Sequence, residues 1–200
     1  MIILGYFWIA PQNSQVLKPF FPKTLFSIKN PPDESLKGEV ASLSGSVSWQ
    51  GRTSDFATLI NSPRQIEQGE EINTNNNGSA FVVFPKIGSF SLSSNTQISI
   101  IQTLPADFVA NEIQGTASFQ KNGNIPLSVV ALDLLINVES GETNITVDKE
   151  GSRVDITVSS GSAALAFNDT NFNTNIVRIK KGYEYIFDDN TKTGKLTPIY

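Results

Sequence analysis

Serine is the obvious candidate nucleophile in this chain, and it has no base to work with. The 200 residues include no His and no Cys. That removes the side chain that most readily moves protons near neutral pH, thiol chemistry and thiolate metal sites. Only a Ser–Lys arrangement is left for nucleophilic catalysis, and no strand–turn–helix elbow presents a serine for it. The adjacent carboxylates Glu70-Glu71 and Asp188-Asp189 have the residue types of an acid–base pair. Neighbours on a strand point to opposite faces, so turn positions suit both pairs better. Asp169, Asn171 and Asn173 recur at every second residue, a spacing that invites a calcium ion. The glycine and terminal glutamate of a calcium loop are missing. Three Asn-x-Ser/Thr triplets, beginning at Asn77, Asn144 and Asn168, match the glycosylation sequon by form only. No phosphate-cradling glycine motif occurs. The expectation is no enzyme, no cofactor, no metal.

Composition narrows the partners. With 39% hydrophobic and 17% charged residues, the chain is too apolar and too sparsely charged to stay unfolded. Its net charge of −4 and the absence of a Lys/Arg cluster argue against nucleic acid, whose binders neutralise phosphates.

Residues 1–10 read MIILGYFWIA and stop at Pro11. A bilayer crossing takes about 20 apolar residues, so this run covers roughly half of one. No basic region precedes Ile2, as a signal peptide would require. The segment is read as a truncated membrane anchor built on Ile2, Ile3, Leu4, Phe7 and Trp8, with aromatic rings at headgroup level. A strand docking on the domain is the alternative. Residues 11–37 carry five prolines and read as a tether, although Phe20, Phe21, Leu25, Phe26 and Ile28 are apolar for a solvated linker. Lys18, Lys23 and Lys29 would by themselves favour a cytoplasmic side.

From Gly38 onward the side chains alternate with period two, the mark of strands with one buried face. In 41–49 the odd positions are Ala41, Leu43, Gly45, Val47 and Trp49, and serines fill the even ones. In 113–120 the odd face carries Ile113, Gly115, Ala117 and Phe119. Further strands are expected at 80–84, 89–93, 97–101, 143–148, 153–159, 163–167, 176–179 and 183–187. Asn77-Gly78, Asn122-Gly123, Glu150-Gly151 and Asp189-Asn190 supply turns between them. The stretch 126–138 fits helical spacing as well, and is read as mostly strand. Gly141, Gly161 and Gly182 follow strand ends at intervals of 20 and 21 residues. Stacked rungs or hairpins of similar size would each produce that spacing. The fold class is all-β, antiparallel, as a solenoid-like or sandwich-like domain over 38–190, with a tail at 191–200.

The order of these motifs resembles the FecR domain family of bacterial envelope proteins. Gly38-Glu39-Val40-Ala41-Ser42-Leu43-Ser44-Gly45-Ser46-Val47 is similar to its opening strand. Gly69-Glu70-Glu71-Ile72-Asn73-Thr74, then Gly78 to Phe84, Ser91-Leu92 and Asn95-Thr96-Gln97-Ile98, resemble the succession that follows it. Residues 113–120, the run around Gly161, and Lys181-Gly182-Tyr183 resemble its later strands and closing turns. The resemblance implies a non-catalytic domain outside the cytoplasmic membrane; with the apolar stub and the Pro-rich tether, the expectation is a membrane-tethered protein-interaction or signalling module. A structural or glycan-binding surface domain is the alternative, motivated by Ser, Thr and Asn on strand faces.

Overall fold

The computed structural model describes residues 30–199, and all of its regular structure is strand. In chain order the strands are β1 (Gly38–Ser44), β2 (Val47–Gln50), β3 (Thr58–Ile60), β4 (Arg64–Ile66), β5 (Glu71–Thr74), β6 (Ser79–Phe84), β7 (Gly88–Leu92) and β8 (Thr96–Leu104). They continue as β9 (Asp107–Lys121), β10 (Leu127–Ala131), β11 (Leu134–Asp148), β12 (Arg153–Asn168), β13 (Thr174–Lys180), β14 (Tyr183–Asp188) and β15 (Thr193–Pro198).

One hydrogen-bonded network joins all fifteen strands, because the long strands each belong to two layers. The first half of β9 lies between β8 and β10, and its second half lies between β7 and β11. Strands β11 and β12 divide in the same way, with β12 pairing β14 through residues 153–157 and β13 through residues 162–168. The A layer therefore runs β3-β2-β5-β8-β9-β10-β11-β12-β13. The B layer runs β4-β1-β6-β7-β9-β11-β12-β14-β15. Every pairing is antiparallel except β9 with β10.

The strands change layer at glycines. Gly115, Gly141 and Gly161 have φ of 97°, 73° and 78°, a region costly for other residues. A Cβ on Gly161 would stand 2.1 Å from the Ser140 carbonyl oxygen, so even an alanine has no room there. Gly141 and Gly161 face each other across β11 and β12, which makes their 20-residue spacing a matter of geometry. Each is a corner at the same edge of the domain. Gly115 turns β9 at the opposite edge, because Gly115 pairs with Val147 while Gly141 pairs with Lys121.

Where the ladder breaks at that opposite edge, threonines supply the missing partners. The Thr96 amide donates to Thr74 Oγ1 (2.9 Å), Thr96 Oγ1 donates to the Thr116 carbonyl (3.0 Å), and the Thr116 amide donates back to Thr96 Oγ1 (3.0 Å). The Ile72-Asn73-Thr74 and Asn95-Thr96-Gln97-Ile98 motifs are thus corner devices, with Asn95 at a positive φ of 56°.

The layers close on a single apolar core. Phe84 and Phe90 of the B layer meet Phe108 of the A layer with ring centroids 4.8 and 5.4 Å apart, and Phe119 stacks beside Phe90 at 5.2 Å. A second contact, Phe167 against Phe187 at 4.9 Å, closes the C-terminal half. Such tilted geometries suit the ring quadrupoles, beyond the area they bury. Among the described residues the strands at the ends of the two layers are short or charged: β3 and β4 have three residues each, β13 bears Arg178 and Lys180, and β15 bears Lys195.

Residues 126–138 form a strand hairpin rather than a helix. Leu127, Val129, Ala131, Leu134, Ile136 and Val138 all point inward, around a two-residue turn in which Leu132 takes a φ of 51°. Within 191–200, read from the sequence as a tail, Thr193–Pro198 pairs along β14 as β15. The clean alternation read over 41–49 and 113–120 is broken as well. A bulge between Val40 and Ser42 shifts the inward face of β1, and Gly115 does the same for β9.

Candidate interaction surfaces

Of the carboxylates singled out in the sequence, Glu70 and Asp189 lie in turns, while Glu71 opens β5 and Asp188 closes β14. Glu70 accepts the Glu67 amide (2.8 Å), and Glu71 accepts Gln97 Nε2 (2.6 Å). Asp188 accepts the Asn190 and Thr191 amides at 2.9 and 3.0 Å. The Asp169-Asn171-Asn173 run is a turn as well. Asp169 Oδ1 accepts the amides of Asn171 (2.8 Å) and Asn173 (2.9 Å), and Oδ2 accepts Asn173 Nδ2 (3.2 Å). The Asn173 bonds, backbone first, hold this carboxyl below its ordinary range. Its oxygens are turned toward N–H donors rather than toward a shared cation. Among the described residues no group of three or more Asp, Glu, His or Cys is placed to hold a metal. The anchor residues Ile2, Ile3, Leu4, Phe7 and Trp8 lie outside the described residues. Among the described residues no helix is long and apolar enough to cross a membrane.

The two outer faces differ in chemistry. On the B layer, register aligns Ser91, Ser118, Asn144 and Thr157 across four strands, with Thr116 and Thr146 in the next row. These groups bond to one another: Thr116 and Thr146 hydroxyls lie 3.1 Å apart, and Asn144 Nδ2 donates to Ser159 Oγ (2.7 Å). On the A layer, register aligns Ile176, Ala166, Leu135 and Val130 across β13, β12, β11 and β10. Ile176 is 75% and Leu135 44% exposed. Lone exposed apolar residues are ordinary, whereas an apolar row across four strands is a contact surface in waiting. Beside it, the Arg178 guanidinium donates to Glu139 Oε1 (2.6 and 3.0 Å), which holds the Glu139 carboxyl below its usual range.

At the hairpin end of the C-terminal half lies an open groove of about 550 Å³ between the turns of both layers. Lys192, between β14 and β15, reaches Asp133 of the β10–β11 turn and Asp189 (2.7 Å), tying the layers together. Burial pulls the Lys192 ammonium down, but the hydrogen bonds to Asp133 and Asp189 outweigh it and hold its pKa up. Phe172, 87% exposed and at a φ of 62°, stands at the rim.

One carboxyl group among the described residues is hidden in the core. Glu112 on β9 faces inward with 0% exposure, and neither carboxylate oxygen has a hydrogen-bond partner. Burial raises its pKa well above the carboxylate range, opposed only by the nearby Ala117 amide. The sequence concealed it: read in phase with Ile113 and Phe119, Glu112 falls on the wet face, and the shift at Gly115 turns it inward.

No family model and no curated protein matches the chain. The fold does have solved counterparts. Two crystal structures, each of a proposed anti-sigma factor from Parabacteroides distasonis, superpose with TM-scores of 0.54 and 0.55 at 16% and 15% identity. Each match covers 64% of this chain and 59% of the other. The chain thus shares their fold over less than two thirds of their length.

Proposed function

We propose that this is a non-enzymatic, FecR-type regulatory module that binds a protein partner, held on the outer side of a membrane by its N-terminal apolar segment. The observation that carries the reading is the fold it has in common with the two proposed anti-sigma factors, combined with the FecR-like order of its corner motifs. The absence of His and Cys and the engagement of Glu70, Glu71 and Asp188 with hydrogen-bond donors support a binding role over a catalytic one. The A-layer row of Ile176, Ala166, Leu135 and Val130, exposed at Ile176 and Leu135, is the surface offered to the partner.

The experiment is site-specific photo-crosslinking in intact cells. Probes at Leu135 and Ile176 are expected to capture a protein that probes at Ser118 and Thr157 on the B layer do not. Capture from neither face overturns the partner reading. Protease added outside intact cells is expected to cleave the domain, and full protection overturns the location.

A further inference from the structure

The hairpin-end groove has a chemistry that the partner-binding reading leaves unused, and we propose that it binds an uncharged oligosaccharide. A sugar ring offers two kinds of surface: hydroxyls in its plane and a C–H face above and below it. The first asks for planar carboxylate and amide groups, the second for an aromatic platform. Both are present. Asp133 in the β10–β11 turn, Asn168 at the end of β12 and Asn190 in the β14–β15 turn line the groove, and Phe172 lines it with them.

The site is preorganised. The Asp169 carboxylate fixes the loop through the Asn171 and Asn173 amides, and the Phe172 amide donates to the Asp169 carbonyl (2.9 Å). This holds an aromatic residue outward in the left-handed region, a conformation that costs free energy and persists only where the surroundings impose it. A loop backbone already fixed loses little freedom on binding. Meanwhile the Asn190 side chain and the Thr170 hydroxyl have no hydrogen-bond partner within the described protein and point to solvent at the same rim.

Charge and polarity select the ligand class. Lys192 is spent on Asp133 and Asp189, so no free cation is available for an anionic sugar, while Asp133 and Asp169 would repel one. A protein anchor site would instead be a desolvated pocket with several apolar walls. Here Phe172 is the one large apolar side chain among the lining residues.

The test is an array of neutral, N-acetylated and anionic oligosaccharides probed with the full chain, followed by calorimetric titration of the best-retained neutral glycan. Wild type is expected to retain uncharged glycans. Phe172→Ala and Asn190→Ala are each expected to raise the half-saturating concentration at least tenfold with unchanged urea midpoints. Retention of no glycan, retention of anionic glycans only, or undiminished binding by both variants overturns the proposal. So does a photo-crosslinker at Phe172 that captures a protein while no glycan binds. Because the probes at Leu135 and Ile176 address another surface, the two proposals fail independently.

Discussion

Replacing Glu112 by glutamine is expected to remove most of the pH dependence of stability between about pH 5 and pH 7, the window above ordinary carboxylates and below ordinary lysines. In the fold Glu112 sits between apolar layers without a partner, so its carboxyl holds its proton. In the unfolded chain it titrates like any glutamate. The folded pKa therefore lies above the unfolded one. The folded state binds more protons than the unfolded state across that interval, and stability is whole below the unfolded value and declines as pH rises toward the folded one. The slope for one proton approaches about 1.4 kcal/mol per pH unit wherever the folded group keeps its proton and the unfolded one has lost it. Even one such unit is a sizeable part of the roughly 5–15 kcal/mol that holds a domain together. The chain has no His, so no side chain of ordinary pKa competes in this window. Glu139 and Asp169, whose carboxyls are held low, act with the opposite sign and in acid: their contribution is lost as pH falls through their folded values. Urea midpoints of wild type and Glu112→Gln at pH 5, 6 and 7 measure the effect. The curves should converge near pH 5 and separate steadily above it, with the variant the more stable. Parallel curves would refute the reasoning, because they would mean that Glu112 ionises freely in the fold.

Three further outcomes follow from the packing. Gly161→Ala should cost more than about 3 kcal/mol, since it adds a steric clash to left-handed strain. Gly182→Ala, whose Cβ would meet nothing within 4 Å, should cost only roughly 1 kcal/mol from its φ of 88°. Guanidinium midpoints compare the two, and equal losses would contradict the crowded-corner account. Phe90→Ala, which empties the space between Phe84, Phe108 and Phe119, should destabilise by about 3–5 kcal/mol in the same assay. Millimolar Ca²⁺ should leave the melting temperature unchanged, because the Asp169 oxygens already accept N–H donors; a rise of several degrees would reopen the Asp169-Asn171-Asn173 run as a cation site.

Strand content was legible because alternation survives wherever one face is buried, as in Ala80 to Phe84 and Val154 to Val158. What alternation cannot show is a change of phase inside a strand. The bulge at Val40 and the corner at Gly115 each exchange inward for outward without any break in hydrophobicity, and the second of these hid Glu112. The hairpin at residues 127–138 was ambiguous because a leucine, rather than Asn or Gly, occupies the positive-φ turn position, so the usual turn signal is absent. Strand β15 was invisible because it lies on a free edge, where Leu196 is its one large apolar side chain and five of its six residues are exposed. The groove between the turns depends on three hairpin tips far apart in sequence, which no local pattern encodes.

The three long strands have a mechanical consequence. Because β9, β11 and β12 each run from one layer into the other, the layers cannot slide past or peel away from each other as separate plates; parting them means unpairing a strand along its entire length. Breathing is left to the ends that chain does not cross, above all to the tips bridged by Lys192, where opening would widen the groove without disturbing the aromatic centre.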